Sequence, residues 1–156
     1  MTLTGTLTSA TELTWGNTTA PIKLTCNLPK KVIRRRVTIT GTLAYNSKRA
    51  YIKVENVVPA TGLDTRDVNI TGYIRRIDPE RINSRGRRSA RLHLYQEKDN
   101  PETAVLVTVL DSKIDELGFD NLSIGQQISL CGQIAYHVRG FHLVFMRALG
   151  EGGNGQ

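Results

Sequence analysis

Apolar and polar residues alternate along most of the chain. Leu3-x-Gly5-x-Leu7, Ile22-x-Leu24-x-Cys26 and Val37-x-Ile39-x-Gly41-x-Leu43 place apolar or small residues at every second position. That is the period at which a strand turns one face to a core. Tyr51 to Val58 continues it, and Pro59-Ala60-Thr61-Gly62 then breaks the pattern. A second series follows: Val68-x-Ile70-x-Gly72-x-Ile74, Arg91 to Tyr95, Ala104 to Leu110, Gln126 to Tyr136 and Gly140 to Leu149. Only Asp111 to Leu122 reads as helix, with Ile114, Leu117 and Phe119 as its apolar stripe and Gly118 as an early stop.

The two series repeat one another. Gly41, Ala44 and Tyr45 in Val37 to Tyr45 lie over Gly132, Ala135 and Tyr136 in Ile128 to Tyr136. Leu3 to Leu7 lies over Ile70 to Ile74 in the same order. A glycine inside a strand weakens it, so its return at matched places marks a bend or bulge. Five strands with a helix between the third and fourth are the arrangement of an OB-fold, a small closed barrel. Residues 68–149 supply that order. Residues 2–58 supply four clear strands and no helix, and the third position, Lys31 to Arg36, is ambiguous. The expected fold is all-β with one short helix: tandem OB-fold barrels, the first shortened. The expected boundaries are 1–60 for a trimmed N-terminal barrel, 63–149 for the second, and 150–156 for a flexible glycine-rich tail.

Composition narrows the function classes. The chain has 156 residues and a net charge of +7, which favours an anionic partner, nucleic acid first. No apolar run is long enough to span a bilayer. Met1 to Gly5 lacks a charged n-region and an apolar h-region, so a cytoplasmic location without membrane contact is expected. Two cysteines, Cys26 and Cys131, are too few for a disulfide scaffold or a Cys-rich zinc site, and both read as small core residues.

The charge is uneven. Lys30, Lys31, Arg34, Arg35 and Arg36 form one run. Arg75, Arg76, Arg81, Arg85, Arg87, Arg88 and Arg91 form another, opposed only by Asp78 and Glu80. The two runs hold 12 of the 21 basic residues, whereas 97–120 carries seven acids against Lys98 and Lys113. A basic side and an acidic side are expected, with both basic runs in corresponding parts of the two barrels. A groove that tracks a phosphate backbone concentrates positive charge in this way. An OB-fold binds ligands across strands 2 and 3, between its first-second and fourth-fifth loops. Arg81 to Arg88 fall in the first-second loop of the second unit, where Gly86 reads as the mark of a mobile finger. The fourth-fifth loops carry Arg139 in one unit and Lys48 and Arg49 in the other. Alternation turns Tyr73 and Tyr95 outward, where they could stack on bases, and assigns Tyr45 and Tyr136 to packing. Trp15 falls in an expected loop. The three histidines have no metal-ligand spacing, Asp78 and Glu80 read as solvated turn residues, and no catalytic motif stands out. No enzyme activity and no cofactor are expected.

Ile70-Thr71-Gly72-Tyr73-Ile74-Arg75-Arg76-Ile77-Asp78-Pro79-Glu80-Arg81, Gly86, and the stretch from Val107 to Gly132 resemble the bacterial single-stranded DNA-binding proteins and their relative, primosomal replication protein N. The resemblance covers about half the chain. It implies a non-catalytic barrel protein of replication, repair or recombination. Its ligand would be single-stranded DNA ahead of RNA, it would assemble into homo-oligomers, and replication or assembly proteins could be partners. The sequence departs from the family in one extra residue between Gly72 and Asp78 and in Leu92 where a Phe is usual. It also ends in Gly and Gln in place of an acidic, Phe-ended tail. A protein adaptor and an RNA-binding barrel remain as alternatives.

Overall fold

Ten strands and one α-helix form residues 1–149, the part that the computed structural model describes; the tail expected at 150–156 lies outside the described residues. The strands β1 (Thr2–Ser9), β2 (Glu12–Trp15), β3 (Thr18–Leu24), β4 (Arg36–Tyr45) and β5 (Ala50–Pro59) close a first barrel in the order β1-β2-β3-β5-β4. A second barrel has β6 (Asp67–Ile82), β7 (Arg88–Tyr95), β8 (Ala104–Leu110), β9 (Gln127–His137) and β10 (Gly140–Ala148), with the helix α1 (Ser112–Leu117) between its third and fourth strands. Its order, β6-β7-β8-β10-β9, is the same cycle. In each barrel the third and fifth strands pair parallel, and every other pair is antiparallel. This is the OB-fold twice over.

Alternation produces both cores. Leu3, Leu7, Leu13, Ile39, Leu43 and Ile52 are fully buried in the first barrel, and Ile74, Leu92, Leu94, Leu130 and Leu143 in the second. Each such side chain contributes roughly 1.5–3 kcal/mol by leaving water. The repeated glycines sit where a neighbouring strand passes too close for a side chain. A Cβ on Gly41 would run into the Lys53 carbonyl oxygen, and one on Gly5 into that of Thr14. On their counterparts Gly132 and Gly72, a Cβ would meet the Val144 and Tyr95 carbonyl oxygens at 2.7 and 3.0 Å.

The first barrel closes with five strands, not four. The strand that its sequence hides is β2, only four residues long, which places Trp15 in the core instead of a loop. The next strand starts at Thr18, earlier than the alternation from Ile22 indicates. With Arg36 the first residue of β4, Lys31 to Arg35 is therefore no strand. It lies in the β3–β4 connection, where the second barrel has α1. Val32 is buried there, Leu7 N–H donates to the Arg35 carbonyl at 3.0 Å, and Arg34 N–H donates to that of Leu7 at 2.6 Å. The first unit is shortened in this sense: it lacks the helix. In the second unit, Gly118 adopts φ 68° and ψ 50° and ends α1 at Leu117, the early stop expected of it, short of the span to Leu122. A 3-10 turn, Phe119–Asn121, follows.

The barrels are bolted together. Between them, Asp64 accepts from Gly16 N–H at 2.8 Å and from Arg36 Nη1 at 2.7 Å, and Thr65 N–H donates to the Thr4 carbonyl at 2.9 Å. Further along β4, the Gln96 side chain donates to the Leu43 carbonyl at 2.7 Å and accepts from Leu43 N–H at 3.1 Å. Ala50 N–H donates to the Val138 carbonyl at 2.7 Å, and the Tyr136 hydroxyl donates to the Ala50 carbonyl at 3.1 Å. Backbone groups that the first barrel leaves unpaired are thus satisfied by the second. Among the described residues, no helix is long and apolar enough to cross a membrane.

Candidate nucleic-acid interface

Strand β6 continues for 16 residues and pairs with β7 as far as Ile82 and Arg88, making a hairpin arm from the first-second connection of the second barrel. Asp78-Pro79-Glu80 is part of this arm rather than a free turn. The tip closes in a hydrogen-bonded turn. Asn83 Oδ1 accepts from the backbone N–H groups of Arg85 and Arg87, both at 2.9 Å, and Gly86 takes φ +75°. An Asx-type turn of this kind needs a short polar side chain and a residue tolerant of positive φ.

The arginines of the arm divide into two groups. Arg88, with a side chain 31% exposed, donates to Glu80 at 2.9 and 3.1 Å and to Asp115 at 2.9 Å through both Nη1 and Nη2. Arg87 donates twice to Asp111, at 2.8 and 3.0 Å. These bonds hold the Asp111, Asp115 and Glu80 carboxyls below their ordinary range and push the Arg87 and Arg88 guanidinium groups further up. Arg76 pairs with Asp78 at 2.8 Å, and Arg75 with Asp99 at 3.4 Å. His93 Nε2 lies 3.0 Å from Asp78, whose carboxyl is held down first by that bond and then by Arg76. Acids from the 97–120 segment therefore meet the arm directly, and the expected separation into a basic and an acidic side does not hold. Arg81, Arg85 and Arg91 are exposed, and among the described residues none forms an ion pair.

Beside the arm, β7 turns Arg91, His93 and Tyr95 outward between buried Leu92 and Leu94. Tyr73 is directly opposite Tyr95 in the β6–β7 register, and both rings are half-buried on the outer face. The Arg75 guanidinium carbon lies 5.1 Å from the Tyr95 ring centre. His142 on β10 hydrogen-bonds Thr108 on β8 and lies 6.0 Å, ring to ring, from His137. Burial lowers the pKa of His142, and His137 and Arg91 lower it further. Arg139 is exposed in the β9–β10 turn, and Lys48 and Arg49 are exposed in the β4–β5 turn. The bonds at Ala50 bring these two turns together, so the two fourth-fifth loops share one end of the junction.

The run from Lys30 to Arg36 belongs elsewhere. Up to Arg35 it lies in the third-fourth connection of the first barrel and Arg36 opens β4, whereas the other run lies along the β6–β7 hairpin of the second, so the two do not correspond. Lys30, Lys31, Arg34 and Arg35 are exposed, and Arg36 is committed to Asp64. Alternation does place Tyr45 and Tyr136 in packing roles: both pack against the core, and Tyr136 meets Phe141 edge-on at 5.3 Å. Basic runs alone do not point to Lys23 and Lys53, register partners on β3 and β5, with Tyr51 two residues before Lys53. Their signal is in the alternation, since each is out of phase with Ile22, Ile52 or Val54. Among the described residues, no group of three or more His, Cys, Asp or Glu side chains is placed to hold a metal ion.

No family model matches the chain, and no curated protein matches it in sequence. Solved structures do match. The crystal structure of the wild-type single-stranded DNA binding protein from Thermus aquaticus superposes with a TM-score of 0.64 at 14% identity, covering 99% of this chain and 94% of that one. A deletion mutant of the same protein gives a TM-score of 0.66 at 14% identity, covering 96% and 93%. At this identity the likeness establishes the shared fold across nearly the full length of both chains.

Proposed function

We propose that this chain is a non-catalytic single-stranded nucleic-acid-binding protein, with DNA ahead of RNA, acting in replication, repair or recombination. One observation carries the reading. The unpaired cations Arg81, Arg85, Arg91 and Arg139 flank the β7–β8 face on which an OB-fold holds its ligand, and Tyr73 and Tyr95 share that side of the barrel. Lys48 and Arg49 extend the positive path across the junction. Arg75, Arg76 and Arg87 can offer phosphates their remaining N–H groups, while Arg88 and Arg36 shape the arm and the first barrel. Few aromatic rings are available, so affinity rests mainly on phosphate contacts and counterion release. The structural likeness to a protein described as binding single-stranded DNA supports the same reading.

Fluorescence anisotropy with labelled single-stranded DNA, single-stranded RNA and duplex DNA at two salt concentrations tests it. The expected order is single-stranded DNA, then RNA, then duplex, with steep weakening by salt. The same proposal includes assembly into homo-oligomers, and light scattering is expected to give a mass above that of a single chain.

A second reading, a protein adaptor, has its own observation. Lys30, Lys31 and Arg35 rim a groove whose floor is Val32, Pro59 and Ala60, and no aromatic ring lines it. Replacing those three cations by Glu leaves single-strand affinity intact if the groove takes a protein partner, and lowers it if the strand runs there.

A further inference from the structure

Where the barrels meet there is a cleft of about 310 Å³. One wall is the outer face of the first barrel, with Lys23, Tyr51 and Lys53. The other is the β7–β8 connection of the second, with Glu97, Asn100 and Glu102. Lys23, Tyr51 and Glu102 also line an adjoining hollow that reaches Arg49. The acidic wall is braced by hydrogen bonds. Thr103 is buried and donates to the Asn100 carbonyl at 2.8 Å, Glu97 N–H donates to Thr103 Oγ1 at 3.0 Å, and Gln96 donates to the Thr103 carbonyl at 3.0 Å while it holds Leu43. Glu97 already accepts from Asn100 Nδ2 at 2.9 Å. Among the described residues, the Glu102 carboxylate has no ion-pair or hydrogen-bond partner, and neither do the Lys23 and Lys53 ammonium groups that line the same cleft.

A carboxylate only accepts hydrogen bonds, and an ammonium only donates them. Two cations, a half-buried tyrosine and an unpartnered carboxylate on a braced wall match the three parts of a nucleotide: phosphate, base face and base edge. We propose that this cleft is a base-selective subsite, in which Glu102 accepts a hydrogen bond from the exocyclic amino group of a base stacked on Tyr51. Lys23 and Lys53 hold the flanking phosphates. The subsite deepens the nucleic-acid reading above and rests on it. Cytosine presents an N4 amino donor to such a carboxylate; thymine presents an O4 acceptor at the same place and is rejected. The cleft volume lies within the ~300–1,000 Å³ of ordinary small-ligand sites.

The test is anisotropy at neutral pH with labelled oligo-dC and oligo-dT of equal length, two pyrimidines that differ at the edge in question. Wild type is expected to bind oligo-dC roughly five- to tenfold tighter, the size of one charge-assisted hydrogen bond in a partly solvated site. Glu102→Gln and Glu102→Ala remove most of that preference. Lys23→Ala with Lys53→Ala weakens both oligonucleotides alike and keeps the preference. Equal binding of the two by wild type overturns the subsite. So does a Glu102→Gln variant that tightens both equally, because Glu102 then only repels phosphate. Failure to bind any oligonucleotide overturns the nucleic-acid reading itself, and the subsite with it.

Discussion

At the scale of single residues, two neighbouring arginines do different work. Arg85 sits at the arm tip without an acid, while Arg88 closes a network between Glu80 and Asp115. Arg85→Ala is expected to lower the salt dependence of oligonucleotide binding and leave amide-exchange protection over residues 80–90 unchanged. Arg88→Ala is expected to lose that protection, because two carboxylates that accept from one guanidinium are left facing each other. The sequence presents both as members of one basic run. Only the long pairing of β6 with β7, which sets Arg88 across from α1, separates them. His142 gives a prediction in pH. Burial lowers its pKa below the ordinary value of 6.5, so the unfolded chain takes up the proton first. Stability therefore falls as pH drops from above 6.5 toward the lowered folded value. Thermal unfolding across that window is expected to show a decline that His142→Gln reduces.

At the scale of elements, the legible parts are those with strict alternation and enough length. β4, β9 and β10 follow the expected spans closely, and the matched Gly-Ala-Tyr pieces lie at equivalent positions of two barrels with one strand order. β2 is illegible because four residues, two of them buried, are too few to show a period. The arm is hidden because Asp-Pro-Glu has turn composition. The bulge between Asp78 and Arg81 lets β6 carry a proline without losing its partner. The repeated glycines are close-approach positions, and this is testable. Gly41→Ala puts a methyl group against the Lys53 carbonyl, which cannot move without unpairing β4 from β5. The expected cost is about 1–3 kcal/mol of unfolding free energy, measured by urea denaturation. Thr40→Ala, one residue away and exposed, is expected to cost much less.

At the scale of the whole molecule, the second barrel completes hydrogen bonds that the backbone of the first leaves open, and the two are expected to unfold together. Gln96→Ala strands the Leu43 N–H and carbonyl groups, a loss of about 1–3 kcal/mol. Calorimetry is expected to show the single transition of wild type broaden or split as the barrels uncouple. The sequence announces two units but not this bracket, since an isolated Gln at a strand end carries no pattern. Nor does the net charge of +7 reveal where the free cations lie, because the acids of 97–120 neutralise much of the arm. Among the described residues, what remains unpaired on the arm and on β7 is Arg81, Arg85 and Arg91, and the central claim is that these bind phosphates. The direct measurement is the salt dependence of single-stranded DNA affinity for wild type and for the variant with Arg81, Arg85 and Arg91 all changed to Ala. The slope of log affinity against log salt is expected to shrink by roughly 2, about 0.7 for each phosphate that the variant no longer neutralises. An unchanged slope, or single-strand binding no tighter than duplex binding in wild type, contradicts the account.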